Sequence, residues 1–174
     1  VEKRDKVRTR VIAASLSDHI KASDTVLIMG HRFSDLDAIG AAIGMWSATA
    51  KGLKKPAYIV VNRNQSMAMP LIKNMEDTLS DGDREIFISP NDALDLVTPK
   101  TLLIVVDTHS QDFVESEELL NSVERVVVID HHRMMVKHIN NAIVFYHEPY
   151  ASSTCEMVAE LVQYLGNNTL SRVE

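Results

Sequence analysis

RVVVIDHHRMM, residues 125–135, carries the decisive pattern of this 174-residue chain. Val126 to Ile129 form a continuous β-branched run with no polar alternation. Such a run marks a strand covered on both faces, the condition of parallel sheets in α/β proteins. The run then stops at Asp130, His131 and His132. An acid and two imidazoles at that point make either a polar turn or part of a metal site, and the rest of the chain has to decide.

Working outward, similar apolar runs recur in TVLIMG (25–30), AYIVV (57–61), EIFIS (85–89), TLLIVVD (101–107) and AIVFYH (142–147). Helical spacing occupies the intervals. It predicts a helix over 6–22, one from Leu36 that closes near Gly52, and one starting near Ser152. MPLIKNMEDTL, PNDALDLV and EELLNSV read as shorter helices, and SDGDRE (80–85) as a polar turn. Strands alternating with helices predict an α/β fold, a mostly parallel, doubly wound sheet with helices on both faces. Gly40 and Gly44 share one side of their helix, which suits close packing of helix on sheet. The chain has no GxGxxG, so a dinucleotide-binding fold has no support.

The length suits one domain with a proper core. Apolar residues at 45% and charged residues at 24% are ordinary for a globular protein, and a net charge of −6 argues against a long nucleic acid as partner. The single cysteine, Cys155, excludes an internal disulfide and reads as a buried structural thiol on a helix face. No signal peptide is expected, and the small apolar stretch 38–50 is too short for a ~20-residue membrane span. The fragment is expected to be soluble and to face the cytoplasm. Starting at Val1 and stopping at NNTLSRVE, the sequence is expected to be a piece of something longer.

Ligands of open α/β sheets sit beyond the carboxyl ends of strands. Three strands here end in metal-ligand residues. VLIMG runs into HRFSDLDAIG with His31, Asp35 and Asp37, LLIVV into DTHS with Asp107, and VVVI into DHHR with Asp130, His131 and His132. Each cluster alone is ordinary turn chemistry, and Asp37 could simply cap the helix beginning at Ala38. Together, four aspartates on one edge would repel one another unless a cation neutralised them. Mixed carboxylate and imidazole ligands suit Mn²⁺ or a similar ion better than Ca²⁺, and the lack of paired thiolates argues against a zinc finger. Two such ions sharing a carboxylate make a phosphoryl-hydrolysis site. Ser152 and Ser153 read as caps of the last helix, whose N–H groups would favour a phosphate if that end faces the site.

HRFSDLDAIG, VVDTH and DHH together resemble the three successive motifs of the DHH phosphoesterase superfamily. The likeness is greatest to the catalytic part of membrane-bound cyclic-di-AMP phosphodiesterases of the GdpP type. There this domain follows transmembrane, PAS and degenerate GGDEF segments and precedes a DHHA1 domain. The resemblance implies a helix and linker from an upstream region over 1–24 and a DHH domain over 25–174. It implies that His31 and Asp35 hold one Mn²⁺, Asp37 and His131 the other, and that Asp107 bridges them. Asp130 would orient a ligand histidine, and His132, with His109, would contact the phosphate. It further implies hydrolysis of cyclic-di-AMP to linear pApA and a full-length protein anchored in the cell membrane, and leaves a homodimer open. Family II inorganic pyrophosphatases, RecJ or nanoRNase-like exonucleases and a non-enzymatic nucleotide-binding module are the competing readings. Three departures stand out. Neither the family's fourth acidic ligand nor the DHHA1 domain has a match before Glu174, and Ser34 stands where proline is common. Near the motifs only Arg32, Arg133 and Lys137 offer positive charge, and Phe33 offers stacking surface.

Overall fold

Six strands form one sheet in the order β3-β2-β1-β4-β5-β6, and every neighbouring pair is parallel. They are β1 (Val26–Met29), β2 (Ala57–Val60), β3 (Phe87–Ile88), β4 (Leu102–Val106), β5 (Arg125–Asp130) and β6 (Val144–His147). The helices are α1 (Lys6–Ala22), α2 (Leu36–Trp46), α3 (Met69–Thr78), α4 (Pro90–Leu96), α5 (Glu117–Ser122) and α6 (Thr154–Leu170). This computed structural model describes residues 6–78 and 85–170, with side chains to 165. Most of the expected turn at 80–85 therefore lies outside the described residues.

The unalternated runs do what their composition requires. All residues of β1 and β4 are buried, and successive side chains serve opposite cores. Val26, Ile28, Leu102, Ile104, Val127 and Ile129 face a larger core closed by α1, α2, α3 and α6. Leu27, Met29, Leu103, Val105, Val126 and Val128 face a smaller one closed by α4 and α5. Each such side chain contributes roughly 1.5–3 kcal/mol on burial. Helix α1 belongs to the larger core through Ala13, Leu16 and Ile20, and its Thr9 hydroxyl meets the Tyr146 hydroxyl at 3.1 Å.

Three elements differ from the sequence expectation. EIFIS yields only two strand residues, because Ser89 leaves the sheet to cap α4, its Oγ accepting from the Asp92 N–H with Pro90 beginning the helix. The helix from Leu36 widens after Trp46 into a π-helical segment, Ser47–Gly52. Gly40 and Gly44 serve helix-on-helix contact, since an added Cβ would lie 2.8 Å from Cys155 Sγ and 2.9 Å from Val158 Cγ1 of α6.

The chain builds β1, β2 and β3 outward on one side, then crosses to β4, β5 and β6 on the other. That is the strand order of doubly wound nucleotide-binding sheets, although the glycine fingerprint is absent. A crevice opens where the order reverses, between the carboxyl ends of β1 and β4. HRFSDLD occupies the first turn there in place of glycines.

Candidate metal centre at the switch point

His31 follows β1 after Gly30 and forms an antiparallel bridge with Val114, which ties the β1–α2 loop to the β4–α5 loop. Arg32 N–H donates to the Phe113 carbonyl and Glu115 N–H to that of Gly30, on either side of the bridge. Ser34 secures the loop on its other side, its Oγ donating to Ser66 Oγ at 2.9 Å while its carbonyl accepts from Met67 N–H. Asp35, not Asp37, caps α2, accepting from Ala38 N–H at 2.9 Å. Asp37 is thereby free to point across to α6. Its two oxygens accept the N–H groups of Thr154, at 3.1 Å, and Cys155, at 2.9 Å. The amino end of α6 does face the site, but those N–H groups serve a carboxylate.

Asp107 sits one residue beyond β4 at φ 65 and is 3% exposed. A left-handed backbone costs a non-glycine residue roughly 1–2 kcal/mol. Here it turns both carboxylate oxygens to useful neighbours. Oδ2 lies 3.2 Å from His31 Nε2, while Oδ1 lies 3.6 Å from His131 Nε2 and accepts from the Thr154 hydroxyl at 2.8 Å. His31 Nε2 is also 3.6 Å from Asp35 Oδ1, and His131 Nε2 is 3.7 Å from Asp37 Oδ2. Asp107 thus lies between two pairs, His31 with Asp35 and His131 with Asp37.

The electrostatics fit a divalent cation. Burial raises the Asp107 carboxyl above its usual range, against the pull of His31 and Thr154, and the neighbouring Asp37 charge raises it further. Burial also acts to raise Asp37, but donors from Cys155 and Thr154 leave it below its usual range. His31 is pushed up to about 9, chiefly by its bond to Asp107 and against desolvation. Its Nδ1–H donates to the Arg32 carbonyl at 2.8 Å, so the deprotonated ring keeps the Nε2 lone pair for a ligand. Two groups, His31 with Asp35 and Asp107, and Asp107 with Asp130, His131 and His132, each bring ligand atoms within 4.8 Å of one another, the donor set of a borderline divalent ion.

Asp130 is wholly buried and its oxygens are saturated. Oδ1 accepts from His131 N–H, His132 N–H and His132 Nδ1, the last at 2.6 Å, and Oδ2 accepts from His109 Nδ1 at 2.6 Å. It therefore fixes the rings of His132 and His109 and the backbone of His131. Among the described residues His132 Nε2 has no hydrogen-bond partner. His109 is 1% exposed, and its Nε2 accepts the Met135 N–H at 3.0 Å, so both ring nitrogens are used within the protein. Ser153 caps α6 by accepting from Glu156 N–H at 3.1 Å, and Ser152 donates its hydroxyl to the Glu156 carboxylate. Cys155 donates its thiol to the Asp37 carbonyl, and burial, with Asp37 beside it, pushes that thiol up to about 12. It is a structural thiol.

Four contributors escaped the sequence reading. Thr154 binds Asp107 directly, and only the SST run before Cys155 hinted at it. Glu115 accepts Asn62 N–H and links the ends of β1 and β2 to the β4–α5 loop. Phe113 and Met135 line a cleft of about 430 Å³ with His31, Arg32, Asp35 and His132. Nothing in the local sequence marks these last three, because tertiary pairing brings them in.

Residues 25–173 match the DHH family, N-terminal domain. The chain is 43% identical over 166 residues to the cyclic-di-AMP phosphodiesterase GdpP of Bacillus subtilis, covering 94% of this chain and 25% of that protein. It is 40% identical over 166 residues, with the same coverage, to the cyclic-di-AMP phosphodiesterase PdeA of Listeria monocytogenes. The chain thus spans about a quarter of the length of these curated relatives. Among solved structures, an exopolyphosphatase-related protein of Bacteroides fragilis superposes with a TM-score of 0.68 at 18% identity, over 92% of this chain and 45% of that one. Exonuclease RecJ bound to manganese superposes with a TM-score of 0.53 at 15% identity, over 92% of this chain and 38% of that one. At such identities the superpositions speak for the fold. With its three motifs gathered at the switch point of a parallel sheet, and the family match running over nearly all of the chain, this protein belongs to the DHH family.

Proposed function

We propose that this chain is the catalytic part of a metal-dependent phosphodiesterase that opens cyclic-di-AMP to linear pApA, with two Mn²⁺ ions at the centre. The observation that carries the reading is Asp107, whose two oxygens face two separate histidine–aspartate pairs. His31 and Asp35 would hold one ion, His131 and Asp37 the other, and Asp107 both. Bound ions would supply Lewis acidity toward the phosphoryl oxygens and lower the pKa of an attacking water.

The rest of the work falls to the chain's own groups. Asp130 fixes the His132 ring by Nδ1, which leaves Nε2 as the contact for a phosphoryl oxygen. Thr154 holds Asp107 in its turned position, and the first N–H groups of α6 hold Asp37. The choice of cyclic-di-AMP draws on the two relatives at 40–43% identity that carry that activity by name. In the full-length protein the domain would hang from a membrane anchor. Among the described residues no helix is long and apolar enough to cross a membrane.

Calorimetry with Mn²⁺ and a turnover assay on cyclic-di-AMP test the proposal together. The wild type should bind two ions and release pApA. Asp107→Asn should lose both ions and with them roughly 10³-fold in turnover, because the Lewis acidity that stabilises the transition state leaves with the ions. Retention of half the turnover would sink the shared-ligand assignment.

A further inference from the structure

We propose that Phe113 and Met135 form a clamp for a nucleobase beside the metal centre, selecting nucleotide phosphate esters over bare phosphates. The proposal rests on the phosphodiesterase reading above and names what that site holds besides phosphorus. Both side chains line the same cleft as His31, Asp35 and His132. Phe113 is 53% exposed and Met135 42%, so the mouth of a charged site carries apolar surface that folding leaves uncovered. A cleft of about 430 Å³ lies within the ~300–1,000 Å³ of small-molecule sites.

The two walls are anchored. The Phe113 carbonyl accepts from Arg32 N–H at 2.8 Å and its own N–H donates to Ser110, beside the bridge that fixes His31. Three imidazoles hold the backbone that carries Met135. His109 Nε2 accepts the Met135 N–H, His138 Nδ1 donates to the Met135 carbonyl at 3.0 Å, and His147 Nε2 donates to the His132 carbonyl. His109 is also bound to Asp130, which orients His132. One hydrogen-bonded chain therefore sets the wall relative to the phosphate contact.

The chemistry of the walls decides the occupant. A substrate that is only phosphate would require several cations; of the three near the motifs, Arg32 donates to the Asp112 carbonyl and Lys137 pairs with the Asp112 carboxylate at 3.2 Å, which leaves the exposed Arg133 alone to meet it. An aromatic ring and a polarisable thioether instead suit the π-face of a base, and stacking on such surfaces is tolerant of base identity. Among phosphate-bearing molecules, a nucleotide joins a charged ester to a planar apolar face, as this cleft joins His31, Asp35 and His132 to Phe113 and Met135.

The test compares 5′-AMP with ribose 5-phosphate on the full-length protein loaded with Mn²⁺, by calorimetry. The two ligands differ only in the base. Wild type should prefer AMP by at least about tenfold, and Phe113→Ala should abolish the preference while leaving ribose 5-phosphate affinity unchanged. Phe113→Trp should keep the preference, and Met135→Ala should reduce it. Equal affinity of wild type for the two ligands, an unchanged ratio in Phe113→Ala, or an equal loss of both ligands would each overturn the clamp. If the metal-loaded wild type bound neither, the phosphodiesterase reading itself would fall, and the clamp with it.

Discussion

Asp107 concentrates costs that His31 and Thr154 offset in part and a bound cation would offset further. It is nearly buried, left-handed at φ 65, and raised in pKa by burial beside Asp37. Asparagine tolerates the left-handed region and carries no charge to desolvate. Above pH 9, where His31 has lost the proton that pairs it with Asp107, we expect Asp107→Asn to stabilise the metal-free protein by about 1 kcal/mol, roughly 2–4 °C in Tm for a domain of this size, while destroying metal binding. Differential scanning calorimetry in chelator checks it, and a lower Tm would contradict it. His31 yields a pH dependence. Its pKa, raised from 6.5 to about 9, means that its bond to Asp107 stabilises the metal-free fold fully below pH 6.5. That contribution is lost as pH rises through 9. A cation must displace the same proton, so Mn²⁺ affinity should fall by about tenfold per pH unit as pH drops from 9 toward 7. Titration calorimetry in buffers of different ionisation enthalpy should show a proton released on binding. The ligand candidates were legible in the sequence because the chemistry demands those residue types at strand ends. Their supports were not. Thr154 and Asp37 meet across 117 residues, a contact that no local pattern announces.

At the scale of elements, α2 and α6 meet through Gly40 and Gly44, and that contact sets the position of Asp37. Val158, being β-branched, cannot turn away from an added Cβ at 2.9 Å without moving its helix. Gly44→Ala should therefore destabilise by about 1–2 kcal/mol, the overpacking cost outweighing the ~1 kcal/mol gain in helix propensity. Adding Val158→Ala should restore at least part of the loss, a coupling that a double-mutant cycle in urea measures. Additive losses would mean that the glycine serves something other than this contact. The glycines were visible in the sequence as marks of close approach, but their partner was taken to be the sheet. Spacing on one helix face says that something comes near and cannot say what. Buried strands were legible for the opposite reason, since an unalternated β-branched run has few other uses. The edge strand β3 shrank because the capping chemistry of Ser89 and Pro90 competes with pairing.

At the scale of the whole molecule, strand order is what the sequence kept hidden. The absence of GxGxxG argued against a nucleotide-binding sheet, yet β3-β2-β1-β4-β5-β6 is that topology. The fingerprint encodes one way of using the crevice, and the order of strands creates the crevice itself. With HRFSDLD in place of glycines, the first turn offers carboxylates and an imidazole where a dinucleotide fold offers N–H groups, so the site can gather cations. Selectivity among phosphorus substrates must then come from the walls. Pyrophosphate, small and highly charged, needs a ring of lysine and arginine around both phosphates. The chain carries a net charge of −6, engages Arg32 and Lys137 with Asp112, and leaves only Arg133 of the three cations near the motifs, too few for such a ring. A cyclic dinucleotide spreads less charge over a larger body and would profit from apolar walls such as Phe113 and Met135. With Mn²⁺ bound, the full-length protein should hydrolyse cyclic-di-AMP with a kcat/KM at least ~100-fold above that for pyrophosphate, about 2.7 kcal/mol in transition-state binding. Parallel steady-state assays measure the ratio. Comparable values would transfer the site to pyrophosphate chemistry, because metal ions alone give any accessible phosphorus the same help and only the walls can tell substrates apart.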